Sequence, residues 1–169
     1  MLEILTRFTH RAAAILLWIA ASGLVLMTAI IGWQVFARYV LNASPSWSEQ
    51  SALFLMIWYA SFAAAAGVRE GFHIRIVALE NAVGPVWKQR LRFASDTVVG
   101  VCGLALLVWG VELVARTWSF TIPSLGLPRG SAYIALPVAG LLIALFSLER
   151  ILEEATGHAV ENEEDPRWS

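Results

Sequence analysis

RYVLNASPSWSEQSALFLMIWYASFAAAAGVREGFHIRI, residues 38–76, decides how this chain is read. Its centre, residues 50–68, holds 19 residues without a formal charge. At about 1.5 Å per residue, a helix of that length runs roughly 28 Å, close to the ~30 Å hydrocarbon thickness of a bilayer. Polar and turn-forming residues crowd its margins: Arg38, Pro45, Trp47 and Glu49 before it, and Arg69, Glu70, His73 and Arg75 after it. An uncharged helix with two polar ends predicts a membrane crossing whose ends face different compartments.

The same pattern recurs on both sides. Residues 12–37 are uncharged over 26 positions, residues 97–111 over 15 and residues 130–148 over 19. The third run reaches membrane length once Asp96 and Glu112 are allowed at its ends. The chain of 169 residues is 58% hydrophobic, against about 45–50% for a soluble domain. Its mean hydropathy is +0.65. The expected fold is an all-α integral membrane protein, a single four-helix membrane domain over residues 1–157. Its spans are predicted near 12–37, 49–68, 94–115 and 131–150. The first run is too long for the 7–15 residue core of a signal peptide, so Arg7 and Arg11 read as flanks of a retained helix. Cys102 is the single cysteine and can make no internal disulfide.

Four spans place both termini and the second loop on one side. That side carries nine Lys and Arg residues, and the other carries three, Arg38, Arg116 and Arg129. The positive-inside rule then predicts cytoplasmic termini. Trp33, Trp47 and Trp118 fall near the outer interface, and Trp87 near the inner one. Between the second and third spans, residues 72–92 mix apolar and basic positions around Gly84-Pro85. This segment reads as one or two amphipathic helices in the headgroup region, where membrane lipid is a partner. For residues 86–96 an N-terminal extension of the third span is an equal alternative. Pro123, Gly126, Pro128 and Gly130 favour turns before the last span, and Pro137 is placed to kink it. Residues 158–169 read as an acidic, disordered tail.

Carboxylates within a membrane usually mark an ion or proton pathway. The two candidates, Asp96 and Glu112, are 16 positions apart, roughly 24 Å along a helix. Each has an arginine four positions away, giving the expected structural ion pairs Arg92–Asp96 and Glu112–Arg116. His10, His73 and His158 all fall outside the spans, which argues against axial haem ligation. No catalytic constellation, cofactor site, metal site or nucleic-acid-binding feature is apparent, and the chain reads as a non-enzyme. Ala60, Ala63, Ala64 and Gly67 recur at helical spacing in the second span. Small residues let helix backbones approach closely, either within this chain or against a partner. Arg38 and Glu49 bracket the outer turn and could pair across it. Ser46 or Ser48 could cap the second helix, with Glu49 in its first turn. The expected subunit or docking interface comprises Arg38, Pro45, Trp47, Glu49, Gln50, Ala60, Ala63, Ala64, Gly67, Arg69, Gly71 and His73.

Three segments, FARYVLNASPSWSEQ, GVREGFHIRI and LGLPRGSAYIALPVAG, in this order on four spans, resemble the DctQ-type small permease of tripartite ATP-independent periplasmic (TRAP) transporters. The resemblance extends over about residues 7–155. One departure is Gln50, where the family often has a second acid after Glu49. The resemblance implies a non-catalytic subunit that scaffolds and anchors a large multi-span permease. It also implies help in docking a periplasmic solute-binding protein during sodium-driven uptake of an organic acid, with sodium held in the large subunit. Two other readings stand beside it. One is an autonomous homodimeric transporter using Glu49 or Glu112, and the other is an electron-transfer membrane anchor.

Overall fold

The computed structural model describes residues 2–43, 45–70 and 85–155. Three long helices come first: α1 (Leu2–Tyr39), α2 (Ser46–Arg69) and α3 (Pro85–Thr117). A two-stranded hairpin follows, β1 (Thr121–Ile122) and β2 (Leu127–Pro128), then short α4 (Arg129–Tyr133) and long α5 (Ala135–Ala155). Four stretches are long and apolar enough to cross a membrane: Thr9–Tyr39, Ser46–Arg69, Arg90–Thr117 and Arg129–Leu152. Each contains the span expected from sequence.

The local breaks have local causes. After α1, Asn42 adopts φ +53°, a left-handed conformation that asparagine tolerates better than most residues. The amide of Ala43 thereby returns to the Ala37 carbonyl at 3.0 Å. Pro45 is the residue that caps α2, in extended conformation and without a side-chain capping bond. This corrects the expected serine cap: the Ser48 hydroxyl instead donates 2.8 Å back to the Pro45 carbonyl. Pro85 opens α3, at the helix position where a missing N–H costs least. The helix is continuous from there, so residues 85–92 are the first turns of α3. Of the two readings held open for this stretch, the structure takes the N-terminal extension of the third span, and the rest of the expected interfacial segment, 72–84, lies outside the described residues.

The turn-forming residues before the last span build the hairpin, with Thr121 opposite Pro128 and Ile122 opposite Leu127. Gly126, at φ +67°, closes its loop with its amide 2.9 Å from the Ile122 carbonyl. The helix then breaks between α4 and α5 at Ile134. Pro137 explains the position, because its ring removes one amide and crowds the carbonyl four residues earlier, that of Tyr133.

The four long helices do not close into a bundle. They lie in a row, α1–α2–α5–α3, with tight α1/α2 and α3/α5 pairs joined along α2 and α5. Aliphatic and aromatic residues fill the α1/α2/α5 seam: Ala13, Leu16, Phe62, Ala66, Ile143 and Phe146 are all buried. Most apolar residues of the edge helices α1 and α3 are exposed, Trp18 and Trp109 among them. A row one helix thick cannot hide such residues from water; lipid or another protein must cover them. The α3/α5 seam is closest at Gly140. A Cβ there would lie 2.6 Å from the Leu107 amide nitrogen and 2.7 Å from the Gly103 carbonyl oxygen.

Candidate functional site

The buried charged groups among the described residues gather at one end of the row, where α1 begins, α2 ends, α3 begins and α5 ends. Glu149 of α5 is 1% exposed and accepts a 2.7 Å hydrogen bond from the Thr9 hydroxyl of α1. Its second oxygen is 3.4 Å from the Arg69 Nε of α2, and that same nitrogen donates to Thr9 Oγ1 at 3.4 Å. The adjacent Arg150 turns the other way. Its Nε is 3.3 Å from Asp96 Oδ2 on α3, and its Nη1 donates 2.9 Å to the Val68 carbonyl on α2. That carbonyl belongs to the last turn of α2, where helical acceptors lack intrahelical partners and the dipole favours a cation.

Two consecutive residues of α5 thus tie together all four long helices. Among the described residues the arrangement sets two arginines against two carboxylates, as burial requires. Its chemistry suits holding helices in register: every charge faces another and the bridge spans both helix pairs. It corrects one expectation. Asp96 is buried and pairs with Arg150 across the seam, rather than with Arg92 along its own helix. Spacing along one helix shows which neighbours are possible, but the partner here comes from a helix whose register only packing fixes.

The other expected pair is present as a surface contact, with Arg116 Nη2 2.6 Å from Glu112 Oε1 and both side chains largely exposed. At the same end of the row, Arg38, Trp47 and Glu49 are exposed, while Pro45 and Gln50 are half-buried. Among the described residues Arg38 and Glu49 form no ion pair, contrary to the pairing considered across the turn. Gly71 and His73 lie outside the described residues. Arg69 belongs to the buried clamp at the opposite end.

The small-residue stripe of α2 divides. Ala63 packs against the core, but Ala60 and Ala64 are exposed, and no atom lies within 4 Å of a Cβ built on Gly67. Exposed Leu53 and Met56 continue the same face. Internal packing uses Phe62, Ala65 and Ala66 instead. Sequence reasoning missed Glu149 and Arg150 altogether. The available signal was an adjacent acid and base ending an uncharged run, on the same predicted side as Arg69.

Comparison with known proteins matches this architecture to a family. The sequence profile described as "Tripartite ATP-independent periplasmic transporters, DctQ component" matches residues 27–157. A Haemophilus influenzae protein named for the small permease of a TRAP transporter is 29% identical over 154 residues, covering 90% of this chain and 92% of the relative. The sialic acid TRAP transporter small permease protein of Vibrio cholerae is 25% identical, covering 74% of this chain and 72% of its own. An isethionate TRAP transporter permease protein of Oleidesulfovibrio alaskensis is 29% identical over 148 residues, which are 80% of this chain but 22% of that relative. A counterpart of this chain thus forms one part of a longer permease polypeptide. With four membrane-length helices and a profile match over most of its length, the chain belongs to the DctQ family of TRAP transporters, as a multi-pass small permease subunit that partners a large permease subunit.

Proposed function

We propose that this chain is the non-catalytic scaffold of a TRAP-type transporter in the bacterial inner membrane, with both termini cytoplasmic. The observation that carries this reading is the outward-facing stripe Ala60, Ala64 and Gly67 on a helix row whose faces are left uncovered. Small residues allow a partner helix close approach where lipid offers no hydrophobic drive. The clamp holds the row in one arrangement, so the stripe is presented as a fixed surface to the large permease.

The exposed outer hairpin, with Arg38, Trp47 and Glu49, is the surface we assign to docking a periplasmic solute-binding protein. The names of the relatives, which refer to sialic acid and isethionate, make an organic acid the reasonable cargo class of the complex. Uptake driven by sodium, with the ion held in the large subunit, completes the proposal. The stripe carries no ionisable group, in keeping with a contact surface rather than a transport path.

Affinity purification tests the scaffold. Ala64→Leu and Gly67→Leu place bulk on an open face, so the chain is expected to insert and fold as before. Copurification of the large permease should fall by at least about ten-fold, the equivalent of roughly 1.4 kcal/mol. Full recovery of the large permease with both variants would remove the stripe from the interface.

A further inference from the structure

The face of α3 that turns away from α5 differs from its packed face. Gly103 meets α5, whereas the outward stripe runs through Trp87, Arg90, Val98, Val101, Leu104 and Val108, all exposed. The membrane part of this stripe is valine and leucine, bulky residues that suit acyl chains better than close backbone approach. From Arg90 to Glu112, the next charge on the stripe, is 22 residues, or about 33 Å of helix. That separation matches the hydrocarbon thickness of a bilayer, about 30 Å, and puts Arg90 at headgroup depth.

At this depth the Arg90 guanidinium stands over the Trp87 ring, 5.6 Å from its centroid. Trp87 is 61% exposed, and among the described residues Arg90 has no carboxylate partner. The first turn of α3 carries no acid. Stacking orients the guanidinium plane and leaves its N–H edge to form paired hydrogen bonds with a phosphate. The indole supplies an amphipathic ring suited to the interface.

We propose that Trp87 and Arg90 form a seat for the phosphate of an anionic phospholipid, with an acyl chain along Val98, Val101 and Val108. This goes beyond the scaffold role. It makes α3 the lipid-facing edge of the row, while the stripe on α2 meets protein.

The test uses the intact complex with its large permease, delipidated in detergent and titrated with phosphatidylglycerol or phosphatidylcholine. Native mass spectrometry counts the lipid retained. Phosphatidylglycerol should be held in preference, and Arg90→Gln should lower its retention roughly five-fold, as loss of one interfacial cation implies. Arg90→Lys should restore part of the preference, which shows that charge rather than altered folding is read. Equal retention of the two lipids by the unaltered complex, or unchanged phosphatidylglycerol retention in Arg90→Gln, overturns the proposal.

Discussion

Replacing Glu149 by alanine is expected to destabilise the chain by on the order of 3 kcal/mol, among the largest effects of any single polar substitution. The carboxylate is 1% exposed and is held by Thr9 and Arg69 from two other helices. Removing it takes away one of the two carboxylates that the described residues set against Arg69 and Arg150, in a buried site where loss of a charge partner is costly. A buried pair adds little net stability over an apolar substitute, but loss of one partner exposes the full desolvation cost of the other. The expected result is a lowered thermal midpoint of the detergent-solubilised protein. Glu149→Ala combined with Arg69→Ala should be less damaging than the sum of the two single changes, because the pair is coupled. Strict additivity, or an unchanged midpoint for Glu149→Ala, would show that the two groups do not depend on each other.

Gly140→Leu should separate α3 from α5. Even a methyl group at this position meets backbone at 2.6–2.7 Å, and backbone cannot rotate away as a side chain can. Overpacking typically costs about 1–3 kcal/mol, and a contact against two backbone atoms belongs at the upper end. Gly140→Ala should already lower the thermal midpoint, and Gly140→Leu should prevent recovery of a monodisperse protein. The same leucine at Gly67, where nothing lies within 4 Å, should leave the isolated chain's midpoint unchanged. Similar losses at both positions would mean that the two glycines share one role, against the assignment of Gly140 to internal packing and Gly67 to a partner.

These effects mark what could be read in the sequence and what could not. The four spans were legible because uncharged runs of about 20 residues have few alternatives to crossing a bilayer. The turn before α5 was legible too, since Pro123, Gly126, Pro128 and Gly130 each remove helical options locally. The Ile134 break could be placed near Pro137 for the same reason. Pairing between helices was not legible. Arg92 and Asp96 are four positions apart, yet Asp96 pairs with Arg150, 54 residues later. The clamp depends on which helix lies beside which and at what height. The periodicity of one helix does not encode that. Exposure of Ala60 and Ala64 was hidden for a related reason: small residues serve internal and external packing equally well. Only the row arrangement, with α2 packed on α1 and α5 through Phe62, Ala65 and Ala66, separates the two uses.

The row also explains why the chain needs company. Its seams bury mostly alanine, glycine and a few aromatic residues, while the outer faces remain apolar. On the proposed reading, α3 faces lipid and the stripe on α2 faces protein, with the clamp holding both faces in place.

The most direct measurement is site-specific photocrosslinking in native membranes, with a photoreactive amino acid introduced singly in place of Ala64 on α2 or Val101 on α3. An adduct with the large permease is expected from position 64, and only lipid adducts from position 101. A permease adduct from position 101 with none from position 64 would contradict this assignment.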